Sequence, residues 1–381
     1  MQRGIPSSLP RTLRWRRPDL SARLAPLAGA AAEGRLRTRG ALLGFAIALG
    51  ATIGIAAILS AYEFFVLGVK PWAEGHPEWS TYYIARTGVA LACSGLLLLG
   101  IERGAVAGAM LSARLRLTSA ERAAVVALCL VGFGSAGLLV YDPALFFVLG
   151  NEDHVVEWLS AGLLFAAAGC LAYPLVRAGP KQRPQAVILG LFAAAFMLIA
   201  LEEVSWFQRV FDLEAPGFLL AANQQAELNL HNLHSNLAEL LYYGAAFCLL
   251  LLLPYFCLIT GRGDLLPGIP PAALGVFLIG ASAPLAAPNY DMWNIFPIQI
   301  TFFTTCLILA RLVASAACSS RAGVAATLGL ALLTLVVIQS VFLVFGTGFI
   351  RLWDVTEYKE LFIASGCFCL AAGVVRSGPV R

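Results

Sequence analysis

The chain of 381 residues is 59% hydrophobic and 13% charged, with a formal net charge of +4 and a mean hydropathy of +0.80. That charged fraction is about half of what an ordinary soluble domain carries, too little to coat a surface in water, so a soluble globular protein is excluded. Apolar runs of about 18 residues or more recur, each able to cross ~30 Å of hydrocarbon as a helix, and the short alternating segments of an outer-membrane barrel are absent.

The fold expected is therefore an all-α, polytopic transmembrane helical bundle of about ten spans with no soluble domain, since helices satisfy their own backbone where lipid offers no partner. Residues 1–40 carry nine arginines against Asp19 and Glu33. No apolar stretch follows Arg16-Arg17 closely enough for a twin-arginine signal, and the segment reads as a disordered basic tail that keeps the N-terminus in the cytoplasm. Residues 41–376 read as one transmembrane domain, with spans near 41–67, 84–101, 122–148, 155–177, 186–202, 236–260, 272–287, 295–317, 323–346 and 358–376. Gly40/Gly44 and Gly50/Gly54 have the spacing that lets helices pack closely, and Glu63 lies near the end of the first span.

The stretch NEDHVVEW, 151–158, opens the fourth span. Asn151 can cap it, and Glu152 and Asp153 suit the positive helix end. Glu157 is a turn deeper, and the helical spacing puts it on one face with Asp153 and His154. The fifth span ends in Glu202-Glu203, where carboxylates oppose the helix dipole, so capping does not account for them. The periodicity carries that helix on to about residue 213, with Val204, Phe207, Val210 and Phe211 on an apolar face. Glu202, Ser205, Arg209 and Asp212 would form the opposing polar stripe.

Residues 203–235 are expected as an interfacial segment on the outer face. Asn223, Gln225, Glu227, Asn229 and His231 alternate with apolar residues, an extended pattern, and His231 and His234 then share a helical face. His-x-x-His with a nearby Glu fits a metal site, less specifically than HExxH, and fits a hydrogen-bonded network equally. The seventh span is shortened by Pro284 and Pro288, and Asn289 and Asp291 follow it as a smaller polar group. Asp354-x-x-Glu357 reads as a capping-box variant at the tenth span; Asn236-x-x-Glu239 is ambiguous in the same way, and Glu360 lies deeper than capping explains. The nine cysteines fall in spans or at their edges without metal spacing and read as small buried hydrophobes.

With the N-terminus inside, ten alternating crossings put the C-terminus inside as well. They leave only Lys70, Arg86, Arg209, Arg351 and Lys359 of the 26 basic residues outside, and only Asp19, Glu33, Glu102, Glu121 and Asp264 of the 22 acidic ones inside. That sorting follows the positive-inside rule.

Two motifs, Glu202-Glu203-x-Ser205-Trp206-x-Gln208-Arg209 and Asn223-x-Gln225-x-Glu227-x-Asn229-Leu230-His231-Asn232, resemble a motif set of functionally uncharacterised bacterial multi-pass membrane proteins. The acidic Glu152-Asp153-x-x-x-Glu157 patch and Glu357/Glu360 are similar to the same set, while Phe207 stands where that pattern carries glycine. The resemblance covers about 150–240 and 354–361. It implies a bacterial inner (plasma) membrane location and no activity.

The residues point to an outward-facing polar site at the membrane boundary. Glu202, Glu203, Glu157 and Asp153 are its candidate catalytic groups. Trp206, Gln208, Arg209, Asn223, Gln225, Asn229 and Glu360 are candidate substrate contacts, and Glu227, His231, His234 and His154 are candidate ligands for a divalent metal such as Zn, Mn or Fe. The partners expected are the lipid bilayer and a lipid or lipid-linked substrate, not nucleic acid. A metal-dependent enzyme, a proton- or cation-coupled transporter and a non-catalytic membrane assembly protein all use such groups; the nearly uncharged middle of the spans favours the enzyme.

Overall fold

The computed structural model describes residues 20–105, 108–151, 154–177, 183–208, 210–212, 235–263 and 265–377. Helix α1 (Leu20–Tyr62) begins well inside the segment expected to be a disordered tail, and a π-helical turn, Glu63–Leu67, follows it. Its 43 residues reach about twice the hydrocarbon thickness; the part apolar enough to cross is Thr38–Leu67. Helix α2 (Thr81–Glu102) packs along it. Their closest approach is at Gly44 and Gly100, where a Cβ on Gly100 would lie 2.6 Å from the Gly44 carbonyl oxygen. Gly50 and Gly54 face open space, so of the two expected small-residue pairs only the first contributes a close helix contact.

A short helix, α3 (Gly108–Arg114), leads to α4 (Ser119–Tyr141), which opens with a capping box between Thr118 and Glu121. The third span is not the single helix predicted over 122–148. Asp142 leaves the helical region at φ −148°, its carboxylate accepts from the Leu145 N–H at 2.9 Å, and Pro143 starts α5 (Pro143–Leu149). The residue before a proline is driven out of the α conformation, and a proline fits the first position of the next helix.

Helices α6 (Val155–Arg177) and α7 (Arg183–Glu203) form the fourth and fifth crossings. The sixth runs through α8 (Ser235–Phe247), a π-helical stretch, Cys248–Leu252, and α9 (Leu253–Thr260). The last three crossings are α11 (Phe296–Cys318), α12 (Ala322–Phe345) and α13 (Thr356–Ser377). Among the described residues nine helices are long and apolar enough to cross a membrane. The protein is an all-α transmembrane bundle.

The seventh crossing is a broken one: α10 (Val276–Ser282), a 3-10 turn, Ala283–Ala286, and irregular buried chain from 287 to 295. Side-chain contacts fix where its ends lie. Gly261, before it, receives Arg114 Nη2 at 3.4 Å, on the side of the bundle where Arg311 and Tyr255 meet Glu102 at 2.9 and 2.6 Å. Asn294, after it, donates to the His76 carbonyl at 3.2 Å in the α1–α2 connection, at the opposite end. The chain between them therefore crosses, short as its helix is. Irregular backbone at membrane depth needs partners from protein, and Asn289 and Gln339 supply them. Asn289 Nδ2 donates to the Ala286 carbonyl at 2.8 Å and to Gln339 Oε1 at 3.0 Å, and Gln339 Nε2 donates to the Asn289 carbonyl at 2.7 Å.

Burial grades the crossings from centre to rim. In α13, 72% of the most apolar stretch is buried and in the sixth crossing 67%, against 17% in α1. The central α13 packs on α6, which packs on α7. That layer carries the acidic residues.

Candidate functional site

The polar residues form two levels, one at each end of the bundle. At the arginine-rich end Arg321 donates to the Leu115 carbonyl and Arg376 pairs with Glu121, bonds that tie helix ends together. The acidic end holds the candidate site.

Helix α7 does not run on to residue 213. It stops at Glu203, and Ser205, Trp206 and Phe207 turn left-handed at φ 44°, 56° and 58°. Each such non-glycine residue costs about 1–2 kcal/mol, so side-chain contacts must hold the turn. Phe207 stacks on Phe165 of α6 with centroids 6.0 Å apart and lies 6.2 Å from Trp158. Trp206 Nε1 donates to Glu202 Oε1 at 2.7 Å. The predicted polar stripe is thus not formed: Asp212 is itself at φ 51°, and Glu202 is engaged with Trp206. Phe207 thus holds a left-handed conformation that glycine enters freely and a bulky side chain does not.

Because α6 packs between α7 and α13, their acidic residues meet. Half-buried Glu203 lies within electrostatic reach of Glu157 and Glu357, and Glu360, one turn further along α13, faces Glu203, Glu157 and Glu239. Tyr243 Oη donates to Glu360 Oε1 at 3.1 Å. Glu157 is buried, as its depth required. The structure thus assembles Glu157, Glu203 and Glu360 from separate parts of the chain and adds Glu357, which the sequence placed as a cap. Asp354 does not cap α13 either. It accepts from the Ile350 and Arg351 N–H groups at 2.8 and 3.0 Å and from Arg351 Nε at 3.0 Å, closing the turn before the helix.

His154 does not share the face of Glu157. It is exposed and, with Val155, Trp158 and Leu159, lines an open depression of about 410 Å³. Trp206 is exposed and Gln208 half-buried. Asp153, Arg209, Asn223, Gln225, Glu227, Asn229, His231 and His234 lie outside the described residues. Among the described residues no group of three or more His, Cys, Asp or Glu is arranged to hold a metal ion.

Sequence reasoning missed the centre of the network. Lys359 is 2% exposed, its ammonium donates to Asn289 Oδ1, and it sits 4.4 Å from the centroid of the Tyr243 ring. Asp291, also 2% exposed, and Glu239 and Glu360 are its carboxylate neighbours. The connection from 68 to 80 covers this group. Gly75 N–H donates to the Asp291 carbonyl at 2.9 Å, and His76 Nδ1 meets Tyr290 Oη at 3.0 Å. Burial raises the Glu74 carboxyl of that connection above its ordinary range. The available signal was a lysine one helical turn inside an apolar segment, which is costly unless paired.

A second buried pair stands apart on α1 and α2. The π-helical turn directs Glu63 inward while Phe64 and Phe65 remain exposed, and Glu63 meets Arg86 Nε at 3.1 Å and accepts from Tyr82 Oη at 3.0 Å. Both charged residues are 2% exposed.

The fold and the site define a polytopic α-helical membrane protein whose buried acidic and basic residues, among those described, gather toward one end of the bundle. Comparison with known families, curated proteins and solved structures finds no match.

Proposed function

We propose that the protein is a membrane-embedded enzyme of the bacterial inner membrane, N- and C-termini cytoplasmic, acting at its outer, acidic end on a lipid or lipid-linked molecule. The observation that carries this reading is the convergence of Glu157, Glu203, Glu357 and Glu360 from α6, α7 and α13 at one boundary. Neighbouring carboxylates in a partly dry site divide into a proton donor and a proton acceptor. Glu203, beside the exposed Trp206, is the group best placed to meet a headgroup, with Glu357 and the buried Glu157 as its carboxylate neighbours and Glu360 held by Tyr243. A divalent ion held by Glu227, His231 and His234 would supply Lewis-acid chemistry.

The test is a lipid survey of cells carrying wild-type protein, no protein, or Glu203→Gln. The same lipid species should accumulate without the protein and with Glu203→Gln at normal protein level. A Glu203→Gln profile matching wild type would overturn the reading. Metal analysis of purified wild type against His231→Ala decides the metal separately.

One observation favours the second reading, a proton- or cation-coupled transporter. The seventh crossing is interrupted, and interrupted helices carry the ion sites of many transporters. Loss of pH-driven uptake into proteoliposomes in Glu203→Gln, with an unchanged lipid profile, would select it.

A further inference from the structure

The break in the seventh crossing brings an amide oxygen into contact with a buried ammonium that has three carboxylates as electrostatic neighbours. Asn289 is held by two hydrogen bonds with Gln339 and a third to the Ala286 carbonyl, so its side-chain oxygen is fixed in direction. Asp291 follows it on the same irregular segment, Glu239 approaches from α8 and Glu360 from α13. The ring of Tyr243 closes one side. A fixed amide oxygen, neighbouring carboxylates and an aromatic face are what a monovalent cation or a small ammonium ion binds to. Here the position is filled from within the chain by the Lys359 ammonium, which bonds to Asn289 Oδ1 over the Tyr243 ring.

We infer that this is a cation-binding site whose occupant is the tethered Lys359 ammonium, so that the acidic end keeps its shape without a bound ion. The lysine has a second consequence. Tyr243 offers its ring to Lys359 and its hydroxyl to Glu360, so the built-in cation orients a carboxylate of the candidate active centre. Lys359 is a positioning residue for Glu360, and only this last point rests on the enzyme reading. The cation site itself stands whether the centre is catalytic or transporting.

Emptying the site makes the inference testable. Lys359→Ala leaves space where the side chain ran and removes the ammonium, so thermal stability should fall by roughly 5–10 °C, as for a broken buried pair. Ethylammonium chloride at millimolar concentration should restore at least half of that loss in a saturable way. Sodium chloride at equal ionic strength and the neutral analogue ethanol at equal concentration should not, and wild type should gain nothing from ethylammonium. Lys359→Ala protein that is as stable as wild type, or that gains nothing specific from ethylammonium, would overturn the inference.

If Lys359→Ala does not accumulate, Lys359→Met with and without Asp291→Asn decides the matter. A cation site predicts that Asp291→Asn stabilises the Lys359→Met protein more than it stabilises wild type, because there it removes a carboxylate left without its counterion. A lysine that only fills space predicts the same effect of Asp291→Asn in both backgrounds, and that result would refute the site. The enzyme reading is not at stake in either measurement.

Discussion

Glu74 should make the stability of the protein fall as pH rises. Its carboxyl lies in the 68–80 connection, with Oε1 buried and without a hydrogen-bond partner among the described residues, and it faces Asp291 and Glu239. Burial raises it above its ordinary 4.5. A folded-state value above the unfolded one means that the folded protein holds the proton more tightly. The contribution is then fully present below about pH 4 and is lost as pH rises through the folded-state value. Each decade of that window is worth ~1.4 kcal/mol, or roughly 2 °C in Tm for a chain of this size. Glu74→Gln keeps the shape of the neutral acid and abolishes the titration. Tm measured across pH in one detergent should therefore coincide for the two proteins near about pH 4 and diverge by about pH 8, with the variant the more stable. Acids remote from Glu74 titrate equally in both, so the difference reports Glu74 and the Asp291 and Glu239 carboxyls that face it. A difference that does not change with pH, or a variant that is less stable at alkaline pH, would refute the argument.

Breaking the Glu63–Arg86 pair by Glu63→Gln or Arg86→Met should cost about 3–5 kcal/mol, because each leaves a buried charge alone, whereas the double variant should recover most of it; additive losses in thermal melts would contradict the pairing. Gly100→Ala should cost about 1–3 kcal/mol by overpacking against the Gly44 backbone, while Gly54→Ala, facing open space, should leave Tm unchanged. For orientation, cysteines are placed at Glu78 on the acidic end and at Ser119 on the other, both exposed, in a background lacking the exposed Cys248 and Cys318. An impermeant thiol reagent should label only the first in intact cells; labelling of the second alone reverses the proposed topology.

The number of crossings was legible because length and apolarity alone fix a span. Their interruptions were not. Pro143 and Pro284 were visible, but whether a proline kinks a helix or starts a new one depends on partners such as the Asp142 carboxylate. The end of α7 was misread for a related reason: apolar spacing at 204, 207, 210 and 211 continues the helical period, yet Phe207 packs on Phe165 only after a left-handed turn. Tertiary stacking overrode the pattern. Within the site, Glu157 and Glu360 were legible through depth, since a carboxylate a turn inside a span needs a partner. His154 was misplaced because helical spacing relates residues on one helix but does not say which flank faces the bundle. Lys359 escaped notice because its partners come from the 289–291 segment and α8, distant in sequence, and counting charges for orientation treats a buried lysine as a loop lysine.

The interior between the two polar levels bears on which chemistry those levels serve. Carrying a proton or cation across requires ionisable or carbonyl groups at intervals through the bilayer, and a charge at its centre costs at least ~2.5–3.5 kcal/mol. The described crossings carry, among other buried polar side chains, Ser135, Thr301, Thr305, Thr327 and Thr334. Each of these hydroxyls donates to a carbonyl three or four residues earlier in its own helix. A hydroxyl bound in this way satisfies its donor locally and is not passing a proton to the next helix. The buried charged residues among those described, by contrast, are Glu63, Arg86, Glu157, Asp291, Asp354 and Lys359, all on the acidic side. The buried Ser282 and Thr304 hydroxyls have no partner among the described residues, yet buried charge there is confined to one boundary, the arrangement that the proposed enzyme reading requires and that a transporting path would extend inward.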